Sequence, residues 1–349
     1  MKHNIVIDYR MNNYSGIGTY MRTIIPKIIT KVHSNFHLII NKCDNDIIFA
    51  DNVKIIKVNS KPYSFKEHFE IPMKVPKNID LYWSPHYIHP FFLKSKYLLT
   101  IHDLYHLKKS NNILKNIYSY LYFAHIRYHK YNLIAVSNFT KNELLKLKFK
   151  NDSITMIHNG LDGKYKNLYS ERENYILTVG NLKKNKNILR LVKAYESIQA
   201  DINMDLYIVG DYKNIKNKDI PALDKIKKNN RIHLLGVLKK NELEKHYNSA
   251  YFYIHPSIYE GFGYPPLEAM TCGCPVLSSK EGSLSEVCKE GALYFDAYNY
   301  KDIASKMIDF ISDDSYREKL INQGNKVIHD CKISRTIEKT AELIERLIN

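Results

Sequence analysis

His255-Pro256-Ser257-Ile258-Tyr259-Glu260-Gly261-Phe262-Gly263-Tyr264-Pro265-Pro266-Leu267-Glu268-Ala269-Met270 is the stretch from which the fold of this chain is read. An apolar run, Tyr251–His255, leads into it and predicts a strand ending near His255. A Gly/Pro-rich turn follows. A helix is predicted to begin near Pro265, because proline is tolerated in a first turn, where its missing N–H would be unpaired anyway. The entrance of such a helix favours anions and hydroxyl oxygens. Glu260 then stands at the carboxyl end of the strand and Glu268 one turn into the helix. Two carboxylates at that spacing are expected to face one cleft and to accept hydrogen bonds from several hydroxyls, which suits a sugar and a ribose.

Strand, glycine turn and amphipathic helix recur at two other places. Ile5-Val6-Ile7-Asp8 precedes a loop holding Ser15-Gly16-Ile17-Gly18, and a helical pattern runs from Thr19 to about Lys31. Tyr175–Gly180 precedes a Lys/Asn-rich loop and a helix from about Ile188 to Gln199. Each is the opening of a Rossmann-like unit. Further short apolar runs follow at 36–40, 53–58, 81–83, 97–101 and 133–136, and again at 205–209, 232–235, 275–277 and 292–295. Helical patterns separate many of them, as parallel α/β domains require. The chain is therefore expected to hold an N-terminal domain over 1–165 and a C-terminal domain over 170–330, with a polar linker near 163–174. A last helix, spaced by Ile337, Ala341, Ile344 and Ile348, is expected to cross back to the first domain.

The 349 residues exceed one ordinary core and suit two. With 44% hydrophobic and 25% charged residues the chain reads as folded rather than disordered. No apolar run reaches the roughly 18 residues needed to span a bilayer. Met1–Asp8 reads as an immediate first strand and not as a signal peptide. Five cysteines fit reduced thiols in a cytoplasm, with Cys272 and Cys274 as packing residues, and no second Cys or His pair follows at zinc-finger spacing. The net charge of +16 is uneven: residues 1–168 hold 25 Lys and Arg against 11 Asp and Glu, the remainder 27 against 25. A one-sided basic field implies an anionic partner on the N-terminal half: an anionic membrane surface, a phosphorylated acceptor or nucleic acid. No nucleic-acid motif accompanies the charge, so nucleic acid is not the expected partner. The basic, aromatic-rich segment Lys108–Tyr131 is read either as a core-facing helix or as one resting on an anionic membrane.

Glu260 to Glu268 is an E-x7-E spacing, and the stretch around it closely resembles the retaining, GT-B-fold glycosyltransferases of family 4. Ser15–Tyr20 resembles that family's N-terminal Gly-rich loop, and Thr100-Ile101-His102-Asp103-Leu104 its His-Asp strand end. Val136–Lys141 and His158–Asp162 match its middle landmarks, and Val179-Gly180 through Lys186-Asn187 its phosphate loop. The resemblance covers nearly the whole chain in order. It implies an α/β GT-B fold, two Rossmann-like domains facing across a cleft.

The same resemblance implies the roles. Glu268 would bind the nucleotide ribose. Glu260 would bind hydroxyls of the donor sugar with the amides of Gly261, Phe262 and Gly263. Lys186 would neutralise the donor diphosphate beside Gly180 and Asn181, with Gly16 approaching from the other domain. His102 would lie beside the transferred sugar, and His102, Glu260 and Lys186 form the expected catalytic set. Gly18, Tyr20, His86 and Asp103 are the expected acceptor contacts. Family members commonly place an arginine in the phosphate loop, whereas here Asn181 and Asn185 flank Lys183 and Lys184. Lysine supplies charge without arginine's bidentate fork.

The expected function is retaining, metal-independent transfer of a hexose from a nucleotide diphosphate sugar, with no cofactor. The first donor is mannose from GDP-mannose, with UDP-hexoses and dTDP-rhamnose as alternatives. The expected acceptor is a glycan or a lipid-diphosphate-linked glycan of surface polysaccharide assembly. The expected place is the cytoplasm or the inner membrane face. Two other readings stay open: a non-catalytic nucleotide-sugar-binding subunit, and a basic nucleic-acid-binding protein.

Overall fold

The computed structural model describes residues 2–44, 52–108, 113–212 and 220–349. The chain divides into two compact units, Met1–Gly160 with Ile333–Asn349, and Leu161–Lys332.

In the first unit the strands are β1 (Asn4–Asp8), β2 (Asn35–Asn41), β3 (Val53–Val58), β4 (Leu81–Ser84), β5 (Lys96–Ile101), β6 (Asn132–Ala135) and β7 (Ile154–Met156). They form one parallel sheet in the order β3-β2-β1-β4-β5-β6-β7. Its helices are α1 (Ser15–Lys31), α2 (Glu67–Lys74), α3 (Tyr105–Lys108), α4 (Ile113–Tyr128) and α5 (Asn138–Lys146). Central strands carry unbroken apolar runs, as in Ile5-Val6-Ile7 and Tyr97-Leu98-Leu99, because helices cover both faces of a parallel sheet. The edge strand β3 instead exposes Lys54 and Lys57, which discourages further pairing.

The second unit repeats the plan. Strands β8 (Tyr175–Val179), β9 (Asp205–Val209), β10 (Ile232–Gly236), β11 (Phe252–His255), β12 (Val276–Ser279) and β13 (Ala292–Phe295) lie parallel in the order β10-β9-β8-β11-β12-β13. The helices are α6 (Ile188–Glu196), α7 (Ile220–Lys228), α8 (Lys240–Ser249), α9 (Tyr264–Thr271), α10 (Leu284–Cys288), α11 (Tyr300–Ser312) and α12 (Asp314–Asp330). In each sheet the chain order reverses beside the first strand, between β1 and β4 and between β8 and β11. In such sheets ligands bind beyond the carboxyl ends of the strands at that reversal. The last helix, α13 (Ile333–Ile348), buries Ala341 and Ile344 and packs on α1 of the first unit.

Several expected boundaries move. Helix α1 begins at Ser15, four residues before Thr19, so Gly16 and Gly18 lie in its first turn rather than in a loop. A Cβ at Gly18 would collide with the Asn12 carbonyl, so the turn closes there only with glycine. Helix α6 stops at Glu196, not Gln199. Strand β7, with three residues, and the single-turn α3 are too short to show a period. The polar stretch 163–174 is laced to the second unit. The amide of Lys166 donates to Glu244, that of Leu168 to Asn248, and Arg172 donates to the carbonyls of Tyr247 and Gly273. Of the segment Lys108–Tyr131, residues 109–112 lie outside those described. Over the rest, α4 turns Tyr122, Phe123 and Ile126 into the core and Tyr120, Leu121 and Tyr128 to solvent.

Candidate active site

The site in the second unit is assembled at the carboxyl ends of β8 and β11, the sheet's reversal point. After β8 the chain turns at Gly180 and passes through a short 3-10 turn, Lys184–Lys186. Asn187, left-handed at φ 55°, then starts α6. Asn187 Nδ2 donates to the carbonyls of Pro256 (3.0 Å) and Ala297 (2.8 Å), and its Oδ1 accepts from Arg190 at 2.6 Å. The Ile258 amide donates to the Asn185 carbonyl at 2.8 Å. The phosphate-type loop is thus stitched to the turn after β11. A Cβ on Gly180 would press on the Lys186 side chain at 3.4 Å, so the lysine stem lies across the glycine. Asn181 is used structurally, its Oδ1 accepting from the Asp211 amide at 2.8 Å. Lys183 and Lys184 point to solvent.

Lys186 Nζ donates to Glu260 Oε1 at 2.6 Å, and His255 Nε2 approaches the same oxygen at 3.3 Å. His255 Nδ1 lies 2.7 Å from the Tyr253 hydroxyl. Burial holds the Tyr253 phenol well above its usual range, so it keeps its proton and donates. That assigns the hydrogen of His255 to Nε2, which donates to Glu260. Burial pushes the Glu260 carboxyl up, but the Lys186 charge and the His255 hydrogen bond outweigh it and hold the group well below the ordinary carboxylate range.

Glu268 has different surroundings. Burial drives its carboxyl up to about 7, the Tyr247 hydroxyl opposing this from 3.1 Å and the Asp162 charge adding to it. Tyr247 and Tyr253 pack edge to face at 5.6 Å, and Tyr253 feels the charge of both glutamates. Two buried phenols therefore underlie the two carboxylates.

The turn between them is braced from behind. Gly282 (φ +67°) has room for no Cβ, which would lie 2.5 Å from the Glu260 carbonyl oxygen. The Ser283 amide donates to that carbonyl at 3.1 Å, and the single hydroxyl hydrogen is shared between the same carbonyl (3.1 Å) and that of Phe262 (2.8 Å). Gly263 (φ +99°) precedes α9, and a Cβ there would meet Leu284 at 2.7 Å. Pro265 and Pro266 remove two of the four N–H groups a helix start normally offers.

The sequence reading named Lys186, Glu260, Gly180 and Glu268, which the fold brings to this strand edge. It missed His255, Tyr253, Tyr247, Asn187, Gly282 and Ser283. His255 was in the quoted stretch, and its signal was a polar residue ending an apolar strand. Asn187 closes the stretch that resembles a phosphate loop, and Tyr253, Tyr247, Gly282 and Ser283 carry no signal of their own.

The expected residues of the first unit gather at the carboxyl ends of β1, β4 and β5. His102 donates from Nε2 to the Pro85 carbonyl at 3.0 Å, and burial lowers its pKa. Tyr20 packs edge to face on it at 5.0 Å and is 1% exposed, so it supports His102 from the core rather than lining a surface. Asp103 accepts from the Tyr105 amide at 2.9 Å and starts α3. His86 is buried against the Tyr87 ring at 4.1 Å. Gly16 has open space beside it, whereas Gly18 is a packing glycine.

Among the described residues no cluster of His, Cys, Asp or Glu is arranged to hold a metal ion. The Asp-x-Asp triplet Asp44-Asn45-Asp46 extends beyond the described residues, and Asp44 accepts from Asn41 at 3.1 Å. The described cysteines are free, and burial raises the Cys272 and Cys274 thiols to about 12, so they are packing groups. No described helix is long and apolar enough to cross a membrane.

Residues 164–327 match the family described as Glycosyl transferases group 1, and residues 46–164 match Glycosyltransferase Family 4. O-antigen chain mannosyltransferase B of Escherichia coli is 32% identical over 154 residues, 44% of this chain and 40% of that protein. The chain thus aligns with less than half of that relative's length. An uncharacterized glycosyltransferase of Methanocaldococcus jannaschii is 31% identical over 267 residues, 72% of this chain and 70% of that protein. Sucrose-phosphate synthase from Thermosynechococcus elongatus superimposes with a TM-score of 0.78 at 17% identity, over 99% of each chain. Two Rossmann-like units of this kind define the GT-B class. The chain belongs to the group 1 glycosyl transferases and is a glycosyltransferase.

Proposed function

We propose that the chain moves a hexose, in the first place mannose from GDP-mannose, to a glycan or lipid-diphosphate-linked glycan, with retention at the anomeric carbon and without a metal. The observation that carries this reading is the pairing of Lys186 with Glu260 at the end of β11, 2.6 Å apart. A cation and an acceptor carboxylate side by side match a diphosphate joined to a hydroxyl-rich sugar. In this reading Lys186 answers the charge that grows on the leaving diphosphate. Glu260 accepts from sugar hydroxyls, and the Gly261–Gly263 backbone donates to their oxygens. Glu268 accepts from the ribose hydroxyls. Gly180 keeps the loop close to the phosphates, and Asn181 holds that loop's shape. His102 and Gly16 contribute from the first unit, with His86 and Asp103 shaping the acceptor side. The mannosyl assignment leans on the name of the Escherichia coli relative. The basic first unit suits a phosphorylated, membrane-bound acceptor.

Calorimetric titration with GDP, UDP, dTDP and ADP, each with and without EDTA, tests the reading. Selective binding of GDP, unchanged by EDTA and weakened at least about tenfold in Glu268→Ala, is expected. Selective UDP or dTDP binding would move the donor to the corresponding hexose or to rhamnose. Binding without hydrolysis or transfer would make the chain a non-catalytic subunit, and no nucleotide binding would sink the donor site.

A further inference from the structure

The segment from β3 to β5 carries an apolar surface that the fold leaves uncovered. Phe65, Phe69, Met73 and Phe92 are 72, 48, 84 and 59% exposed. Phe65 and Phe69 are 5.4 Å apart, ring centre to ring centre, and Phe69 and Phe92 5.0 Å, so the rings form one continuous patch, with Met73 a turn further along α2. Phenylalanines grouped in this way on a soluble face mark an interaction surface.

The charge around the patch names the partner. Residues 52–96 hold eight lysines and three acids. All three acids are committed. Glu67 is fully buried on Arg10 and Tyr122. Glu70 accepts from the amides of Asn59 and Ser60 at 2.9 and 2.8 Å and pairs with Lys74. Asp80 accepts from the Asn4 amide at 2.7 Å. Lys61, Lys66, Lys77 and Lys94 remain exposed. Aromatic side chains set among lysines, with Glu67 and Glu70 held inward, fit a bilayer interface: rings enter the headgroup–acyl boundary and ammonium groups stay with anionic headgroups. The loop leading into α2 leaves the carboxyl edge of the sheet, the same edge that presents Gly16 and His102.

We infer that Phe65, Phe69, Met73 and Phe92, with Lys61, Lys66 and Lys94, form the surface by which this glycosyltransferase docks on an anionic lipid bilayer. The inference rests on the proposed lipid-linked acceptor. It assigns the docking face to α2 and the β4–β5 loop in place of α4, the helix favoured by aromatic content alone. The exposed side chains of α4, Ile117, Tyr120 and Leu121, border an apolar groove of about 400 Å³. Arg127 beside it donates to the Leu147 carbonyl.

Co-sedimentation of the full chain with phosphatidylcholine vesicles, with and without about 30% phosphatidylglycerol, tests it. Wild type is expected to bind the anionic vesicles, to bind neutral ones at least about tenfold more weakly, and to be released by salt. Phe65→Ala/Phe69→Ala/Phe92→Ala should lose at least about tenfold in partitioning while keeping the wild-type melting temperature, since the rings are exposed. Ile117→Ser/Tyr120→Ser/Leu121→Ser should bind as wild type. Failure of wild type to bind, equal binding to neutral vesicles, undiminished binding by the triple phenylalanine variant, or loss confined to the α4 variant overturns the inference. Nucleotide titration of the same samples separates the two proposals. Lost nucleotide binding sinks the donor site, whereas lost vesicle binding sinks only the docking face.

Discussion

Lys186 Nζ and Glu260 Oε1 lie 2.6 Å apart, and the same carboxylate oxygen faces His255, whose other nitrogen is held by Tyr253. Three side chains, Lys186 from the phosphate-type loop and His255 and Tyr253 from β11, therefore set one carboxylate. Removing the cation leaves burial to dominate. Lys186→Met is expected to raise the Glu260 pKa, to cost about 2–3 kcal/mol in urea unfolding at neutral pH, and to weaken nucleoside diphosphate binding at least about tenfold. Unchanged nucleotide affinity would show that the lysine only braces the turn.

The sign of the Glu260 shift makes a pH prediction. Its folded pKa is depressed, so its contribution to stability is present above the unfolded value of about 4.3 and is lost as pH falls further. The acid limb of the stability profile should be shallower in Glu260→Gln than in wild type. Identical limbs in thermal scans from pH 3 to 6 would contradict the geometry.

Glu268 has the opposite sign. Its carboxyl is raised to about 7, so the stability it confers is full below the unfolded value and declines as pH rises toward 7. Glu268→Gln should match wild type at pH 4 and exceed it at pH 8 by roughly 2–3 kcal/mol. If the ionised carboxylate receives ribose hydroxyls, wild-type nucleotide affinity should tighten between about pH 6 and 8, with that dependence missing in the glutamine variant. A variant that binds as wild type at pH 8 would remove Glu268 from the ribose site.

Tyr247→Phe tests the support beneath that carboxylate. Losing the 3.1 Å hydrogen bond should move the midpoint of the affinity profile upward in pH and cost about 1 kcal/mol of stability. A purely structural tyrosine would lower stability without moving the midpoint.

Gly282→Ala should disturb the donor site without touching it. The added Cβ would lie 2.5 Å from the Glu260 carbonyl oxygen at a left-handed φ of +67°. The turn must shift, at a cost of about 1–3 kcal/mol, with at least about tenfold weaker nucleotide binding. Wild-type affinity in a folded variant would show that the brace has slack.

Much of this architecture was legible before any coordinate. Apolar runs of three to six residues alternating with helical patterns announce parallel α/β units, and every such run became a strand. The failures are local. Residues Ser15–Gly18 looked like a loop because glycines disfavour helix, yet the close approach of Gly18 to Asn12 lets α1 start there. Tyr20 looked like a ligand contact by its place in a motif, and it is buried behind His102. The stretch 163–174 looked like a linker because it is polar and aperiodic. Its order comes from hydrogen bonds to α8 and the turn after α9, which lie about 80 to 100 residues away in sequence.

By itself the sequence determined the two α/β halves, the glutamates Glu260 and Glu268, and the lysine Lys186, because residue type and short-range period carry that information. Tertiary structure decided what those groups are. Pairing β8 with β11 sets Lys186 on Glu260. Packing α8 beside α9 brings Tyr247 to Glu268. Two chemically identical carboxyls, eight residues apart, are driven in opposite directions, one well below its ordinary pKa and one up to about 7. The reason is that a buried carboxyl's proton affinity is set by its nearest charge and hydrogen-bond donors. His255 is a sequence neighbour of Glu260, but Lys186 reaches it from a loop 74 residues away and Tyr247 reaches Glu268 from a separate helix 21 residues away.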